Sequence, residues 1–190
     1  MFKKHSRDIR FLFNAAALAL IVMAVLQAIQ PYLAGPDPQA AQIEAFTYKI
    51  VPIPAQAVPP LLHKPDGRPV MLVVYASWCP YCRVMMPDIA HLMAEGEMDG
   101  VETVFLSRDQ EIRPLAAYLI HQHYDALFTP YILSTGPLPQ LLQSMGSHFS
   151  GKIPYLAFFD GRGKLVAEFL GQADEPALRA ALERVKTRGL

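Results

Sequence analysis

Only two cysteines occur in the 190 residues, Cys79 and Cys82. Two are too few for a disulfide-stapled scaffold, and a chain of this length can bury a core without one. Net charge is also missing: 17 Lys and Arg balance 17 Asp and Glu, and charged residues make up only 18% of the chain. A nucleic-acid binder needs a basic patch to release counterions from phosphates. No basic run with interleaved aromatics occurs outside the N-terminus, and no internal repeat is visible.

Charge is lacking altogether from residues 11–36, FLFNAAALALIVMAVLQAIQPYLAGP. The apolar part, Phe11 to Ile29, would form a helix about 28 Å long, close to the ~30 Å of a hydrocarbon core. Lys3, Lys4, Arg7 and Arg10 precede it, whereas Asp37 and Glu44 follow it. This asymmetry predicts a cytoplasmic basic tail over 1–10 and a single transmembrane anchor over 11–33. A cleaved signal peptide is the rival reading. The run is too long for one, and no A-x-A site closes it. A buried core helix fits poorly, because the run is apolar all round.

Proline, by contrast, is in excess at 17 residues, roughly twice the usual ~5%. Six of them fall in residues 34–60, which read as a stiff, extended linker. Within it Phe46, Tyr48 and Ile50 alternate with Thr47, Lys49 and Val51, the pattern of an edge strand over 46–51. Residues 61–190 are globular in pattern. Buried strands are expected at Val70–Tyr75, Val101–Leu106 and Tyr155–Phe159, with a fourth at Lys164–Leu170 closing a hairpin over Asp160-Gly161-Arg162-Gly163. Helices are expected over 80–95, 112–123 and 138–145, and after Asp174. Alternating units followed by a hairpin imply an α/β fold, a central mixed β-sheet flanked by helices.

The two cysteines lie in the stretch WCPYC, after a buried strand and at a helix start. Unpaired N–H groups and the positive dipole end at a helix N-terminus favour a thiolate, so Cys79 is the expected nucleophile. Pro80 suits the first turn, having no N–H to leave unpaired. Cys82 lies on the same face and deeper along the helix, which makes it the resolving thiol. A zinc site would need histidines to complete it, and His121 and His123 are spaced by two rather than three to five. Haem attachment would need C-x-x-C-H, and residue 83 is Arg. A purely structural disulfide across so short a loop stabilises little.

In the run VVYASWCPYCRVMMP the chain resembles the thioredoxin superfamily, and within it the TlpA-like, membrane-anchored thioredoxins of the bacterial periplasm. The resemblance covers about residues 61–187. It implies a thioredoxin-like three-layer fold, with Pro87 bending the active-site helix. It implies that Ile153-Pro154 carries the family's cis-proline, with the Ile153 backbone pairing to substrate and Gly171 letting substrate approach. Trp78, Pro80 and Tyr81 would support the site. Two departures stand out. Val73 occupies the position where many thioredoxins carry a buried acid or amide, and Pro-Tyr between the cysteines is more typical of glutaredoxins. Trp78, the anchor and the long insertion before Pro154 do not fit a glutaredoxin.

The expected function is a membrane-tethered thiol–disulfide oxidoreductase on the periplasmic side of a bacterial inner membrane, with no cofactor beyond the redox pair and no metal. The resemblance implies partners: cysteine-containing exported proteins as substrates, apocytochrome c among them, and a transmembrane electron donor. A disulfide-forming oxidase of the same fold remains open, since potential sets direction. So do a non-catalytic assembly module and an anchored copper metallochaperone. Met85, Met86 and His148 prompt the copper reading, though Met85 suits a core position, Met86 the helix face and His148 a solvated loop.

Overall fold

The structure, a computed structural model, describes residues 17–29 and 37–188. The described residues fall into two units, divided between Ala41 and Gln42. In the first, residues 17–29 form helix α1, whose large side chains, among them Leu20, Met23 and Leu26, are exposed. Among the described residues no helix is long and apolar enough to cross a membrane. The expected anchor over 11–33 and tail over 1–10 lie partly and wholly outside the described residues.

Helix α2 spans Pro38–Thr47. Asp37 starts it, its carboxylate accepting the Gln39 N–H at 2.9 Å, and Pro38 takes a first-turn position where no N–H is needed. The edge strand expected over 46–51 is therefore displaced. Phe46 is buried from the end of a helix, and strand β1 is Val51–Pro54. A 3-10 turn (Ala55–Ala57) and helix α3 (Val58–Leu61) follow. Ile53, Ala55 and Val58 are buried in the core. The stretch assigned as a spacer over 34–60 thus belongs, at its end, to the folded unit. Pro52 and Pro54 sit in an edge strand, and Pro38 and Pro59 near helix starts, where a missing N–H costs little.

The remaining strands are β2 (Val70–Tyr75), β3 (Glu102–Ser107), β4 (Pro130–Thr135), β5 (Tyr155–Phe159) and β6 (Leu165–Leu170). They form one sheet of order β1-β4-β3-β2-β5-β6. The pairs β1–β4, β4–β3 and β3–β2 are parallel, and β2–β5 and β5–β6 antiparallel. Helices α4 (Pro80–Ala94), α5 (Ile112–His121), α6 (Leu138–Ser144) and α7 (Glu175–Arg188) complete the unit.

Strand β2 is buried along its whole length, and its side chains divide the core. Met71, Val73 and Tyr75 face one layer with α4, α5 and α7. Val70, Leu72 and Val74 face the other, with α3 and α6. This is the expected mixed sheet between helical layers. Pro87 lies inside α4, which continues past it to Ala94. Strand β4 has no counterpart in the sequence reading: it starts at a proline, and only Pro130 and Ile132 along it are buried. Met86 also differs from expectation, being 1% exposed in the core. Met86→Ala should lower unfolding free energy by about 2–5 kcal/mol, the usual cost of a buried cavity. Val84→Ala, on the exposed side of the same helix, should change it by less than about 0.5 kcal/mol. Urea unfolding of both variants checks the pair.

Candidate redox site

Strand β2 ends at Tyr75, and Ala76–Trp78 lead to Cys79, the residue that caps α4. Cys79 has extended backbone (φ −81°, ψ 114°), and its Sγ accepts the backbone N–H of Cys82 at 3.2 Å. A sulfur therefore takes the place that a Ser or Asp oxygen fills at an ordinary cap. Pro80 opens the helix. Cys79 and Cys82 are joined in a disulfide, their Cα atoms 5.2 Å apart. Cys79 is 3% exposed and Cys82 fully buried, whereas Trp78, Tyr81 and Val84 stand more than half exposed around them.

The loop before Cys79 is held from two sides. Ser77 donates its N–H (2.9 Å) and its hydroxyl (2.6 Å) to the Asp109 carboxylate, and its carbonyl accepts the Arg83 Nε–H at 2.7 Å. Asp109 also accepts the Ser107 hydroxyl and donates its own N–H back to it. Nearby, the Tyr75 hydroxyl is buried with no hydrogen-bond partner. Burial first, and then the Asp109 charge, push its ionisation far above the ordinary tyrosine range.

A groove of about 470 Å³ opens beside the pair. Tyr81 forms one wall, Ser150, Lys152, Ile153 and Pro154 another, and Leu170, Gly171 and Gln172 a third. The Ile153–Pro154 peptide bond is cis, and the Pro154 carbonyl accepts the Gly171 N–H at 3.1 Å. Gly171 has φ +127°, a conformation L side chains rarely adopt, and open space lies where its Cβ would be. The structure thus brings Tyr81, Ile153, Pro154 and Gly171 to one groove; Trp78 and Pro80 flank Cys79 outside its lining.

The family profile of thioredoxin-like domains matches residues 62–186. The chain belongs to the thioredoxin-like family. The thiol-disulfide oxidoreductase ResA of Oceanobacillus iheyensis is 30% identical over 115 residues, 56% of this chain and 57% of that protein. The chain thus spans little more than half the length of that relative. The protein of the same name from Bacillus cereus is 23% identical over 177 residues, 93% of this chain and 96% of its own. A thioredoxin-related protein from Neisseria meningitidis serogroup B shares the fold, with a TM-score of 0.52 and 17% identity over 64% of this chain and 87% of that one.

Within this thioredoxin-like domain Val73 is fully buried, as expected for an apolar residue in the central strand. Among the described residues no group of three or more His, Cys, Asp or Glu side chains is placed to hold a metal. His148 is exposed but not merely solvated, since its Nδ1 lies 2.5 Å from a Glu168 carboxylate oxygen. Glu168 also accepts the Ser147 hydroxyl, the Tyr155 hydroxyl and the His148 N–H. This carboxylate staples residues 147–148 to β6, just ahead of the groove-lining Ser150–Pro154. Glu168, Asp109, Ser77, Arg83 and Lys152 are site residues the sequence reading missed. Each lies in a different segment from its partners or lacks a motif, so no local signal marks it.

Burial works to raise the Glu168 carboxyl, but hydrogen bonds from His148, Ser147 and Tyr155 outweigh it and hold it below the ordinary glutamate value of 4.5. A depressed folded value stabilises the fold fully above the ordinary one, and the contribution is lost as pH falls through the folded value. Glu168→Gln should therefore cost about 1–3 kcal/mol at pH 7. The gap to wild type should narrow below about pH 4, which urea titrations at pH 7 and pH 3 would measure.

Proposed function

We propose that this chain is a membrane-tethered thiol–disulfide oxidoreductase that reduces disulfides of exported proteins through Cys79 and Cys82. One observation carries the reading: a disulfide closed onto the cap of α4, beside a groove lined by a cis-proline loop and an unobstructed glycine. The names of the ResA relatives support the same chemistry. The apolar, uncharged run over 11–33 supports the tether, and the basic residues before it support a periplasmic domain.

In the reducing direction the reduced pair starts with Cys79 as thiolate, favoured by the N–H groups of the first turn of α4. Its sulfur attacks a substrate disulfide. A mixed disulfide forms, the substrate S–S bond breaks, and the departing thiolate takes a proton from water. Cys82 then gives up its proton and attacks the Cys79 sulfur. The Cys79–Cys82 bond closes and the second substrate thiol leaves. Two electrons have passed to the substrate, and the pair needs no other cofactor to carry them. A transmembrane electron donor returns the pair to the dithiol. Exported proteins with paired cysteines, apocytochrome c among them, are the substrate class this scheme serves.

Full-length protein in detergent should accelerate insulin reduction by dithiothreitol. Cys79→Ser should abolish the acceleration and Cys82→Ser should accumulate mixed disulfides on gels. A wild-type rate no faster than dithiothreitol alone would sink the proposal. A pair potential near ~−270 mV fits reduction, while one near ~−120 mV would reverse the direction to oxidation. Alkaline phosphatase fused after residue 60 should be active in a Gram-negative host, and an inactive fusion would overturn the periplasmic placement.

A further inference from the structure

We infer that Asp109 is a positioning residue for the redox pair: together with Arg83 it grips Ser77 and so fixes where the Cys79 sulfur stands at the N-terminus of α4. The inference builds on the thiol–disulfide reading above. Among the described residues Asp109 is the one charged residue that is buried, at 5% exposure. Burying a carboxylate is costly unless several donors compensate it. Here three do, and two of them belong to Ser77, 32 residues away.

The position of Ser77 gives this contact a meaning for the chemistry. It stands two residues before Cys79, inside the turn in which the Cys79 N–H bonds to the Ala76 carbonyl at 3.2 Å. Asp109 takes the N–H of Ser77, and Arg83, next to Cys82, takes its carbonyl. One peptide segment is thus held at both ends by side chains of opposite charge. Asp109 is itself fixed by Ser107. Ser107 follows Phe105 by two along β3, so it shares that residue's side of the sheet, the side of Cys79 and Cys82. Among the described residues, Tyr75 from β2 and Tyr118 from α5 feel the Asp109 charge, and Arg83 also lies 5.5 Å from the Tyr118 ring. Arg108 and Gln110 border Asp109 in a polar cleft at the ends of β3 and β4.

The favourable field at a helix N-terminus fades within its first turn. A sulfur that accepts the Cys82 N–H at 3.2 Å is inside that range. Loosening Ser77 lets Cys79 drift out of it, and the thiolate becomes less favoured. The direct effect of the Asp109 charge runs the other way, since a nearby carboxylate disfavours a thiolate. Position and charge therefore predict opposite signs, which makes the experiment decisive.

The test follows iodoacetamide alkylation of Cys79 against pH in reduced, full-length protein, and equilibrates the pair with glutathione. Neither readout requires a protein substrate, so it stands apart from the turnover assay above. Asp109→Ala should slow alkylation at pH 7 about tenfold, raise the midpoint of the pH profile and shift the glutathione equilibrium toward disulfide. Asp109→Asn, which keeps an oxygen for the Ser77 N–H, should stay within about threefold of wild type. A folded D109A protein with the wild-type profile would overturn the inference. So would faster alkylation in both variants, because that is the signature of charge alone. If D109A does not fold, Ser77→Ala removes one strand of the grip and should slow alkylation about two- to threefold; an unchanged S77A rate would then reject the assignment.

Discussion

Strand β2 hands the chain to helix α4 at a sulfur, and everything at the site is arranged around that junction. β2 is bonded on both sides, to β3 and β5, and both of its faces are buried. It has no freedom to shift without breaking two ladders and two cores. Its end therefore sets where Cys79 meets the unpaired N–H groups of α4. The same ladders deliver the other components. Val74 pairs with Tyr155, and Tyr155 with Leu170. Pro154 and Gly171, each one residue beyond those pairs, are thereby brought beside the end of β2. A groove made from three distant stretches of sequence follows from the register of the sheet.

How much of this was legible in the sequence depended on burial. β2 and β5 are continuous apolar runs, and their observed bounds are those the sequence suggests. The hairpin turn, the α4 start and the Asp174 cap, whose carboxylate accepts the Ala177 N–H, were legible for local reasons. The half-exposed edge was not. β1 buries only Ile53, and β4 mixes buried and exposed positions without strict alternation. Proline density suggested an extended linker where Asp37 and Pro38 in fact start a helix. At the site, the cysteine spacing and Ile153-Pro154 were readable because they are contiguous. Asp109 with Ser77, and Glu168 with Ser147, meet only after the sheet has formed, and no spacing rule anticipates them.

The surroundings of the pair combine two opposed properties. The sulfurs are almost wholly covered, while Trp78, Tyr81, Val84 and Leu170 project into solvent. An apolar partner segment lying on these side chains would remove their surface from water at roughly 25 cal/mol per Å². Contact area and reactive atom are thus supplied by different residues, and either can vary without the other. Lys152 puts a cationic side chain in the groove lining, beside these apolar ones.

A sheet of six strands has two open margins, and here they are unlike. β6 is an ordinary hairpin arm. β1 carries Pro52 and Pro54, two positions of the same parity, and it pairs only with β4. Proline in such a strand is tolerated where its absent N–H points away from the neighbour. A stray polypeptide approaching that margin would meet gaps where a template needs donors. Such a margin guards the sheet against edge-to-edge growth without any covering helix or added charge.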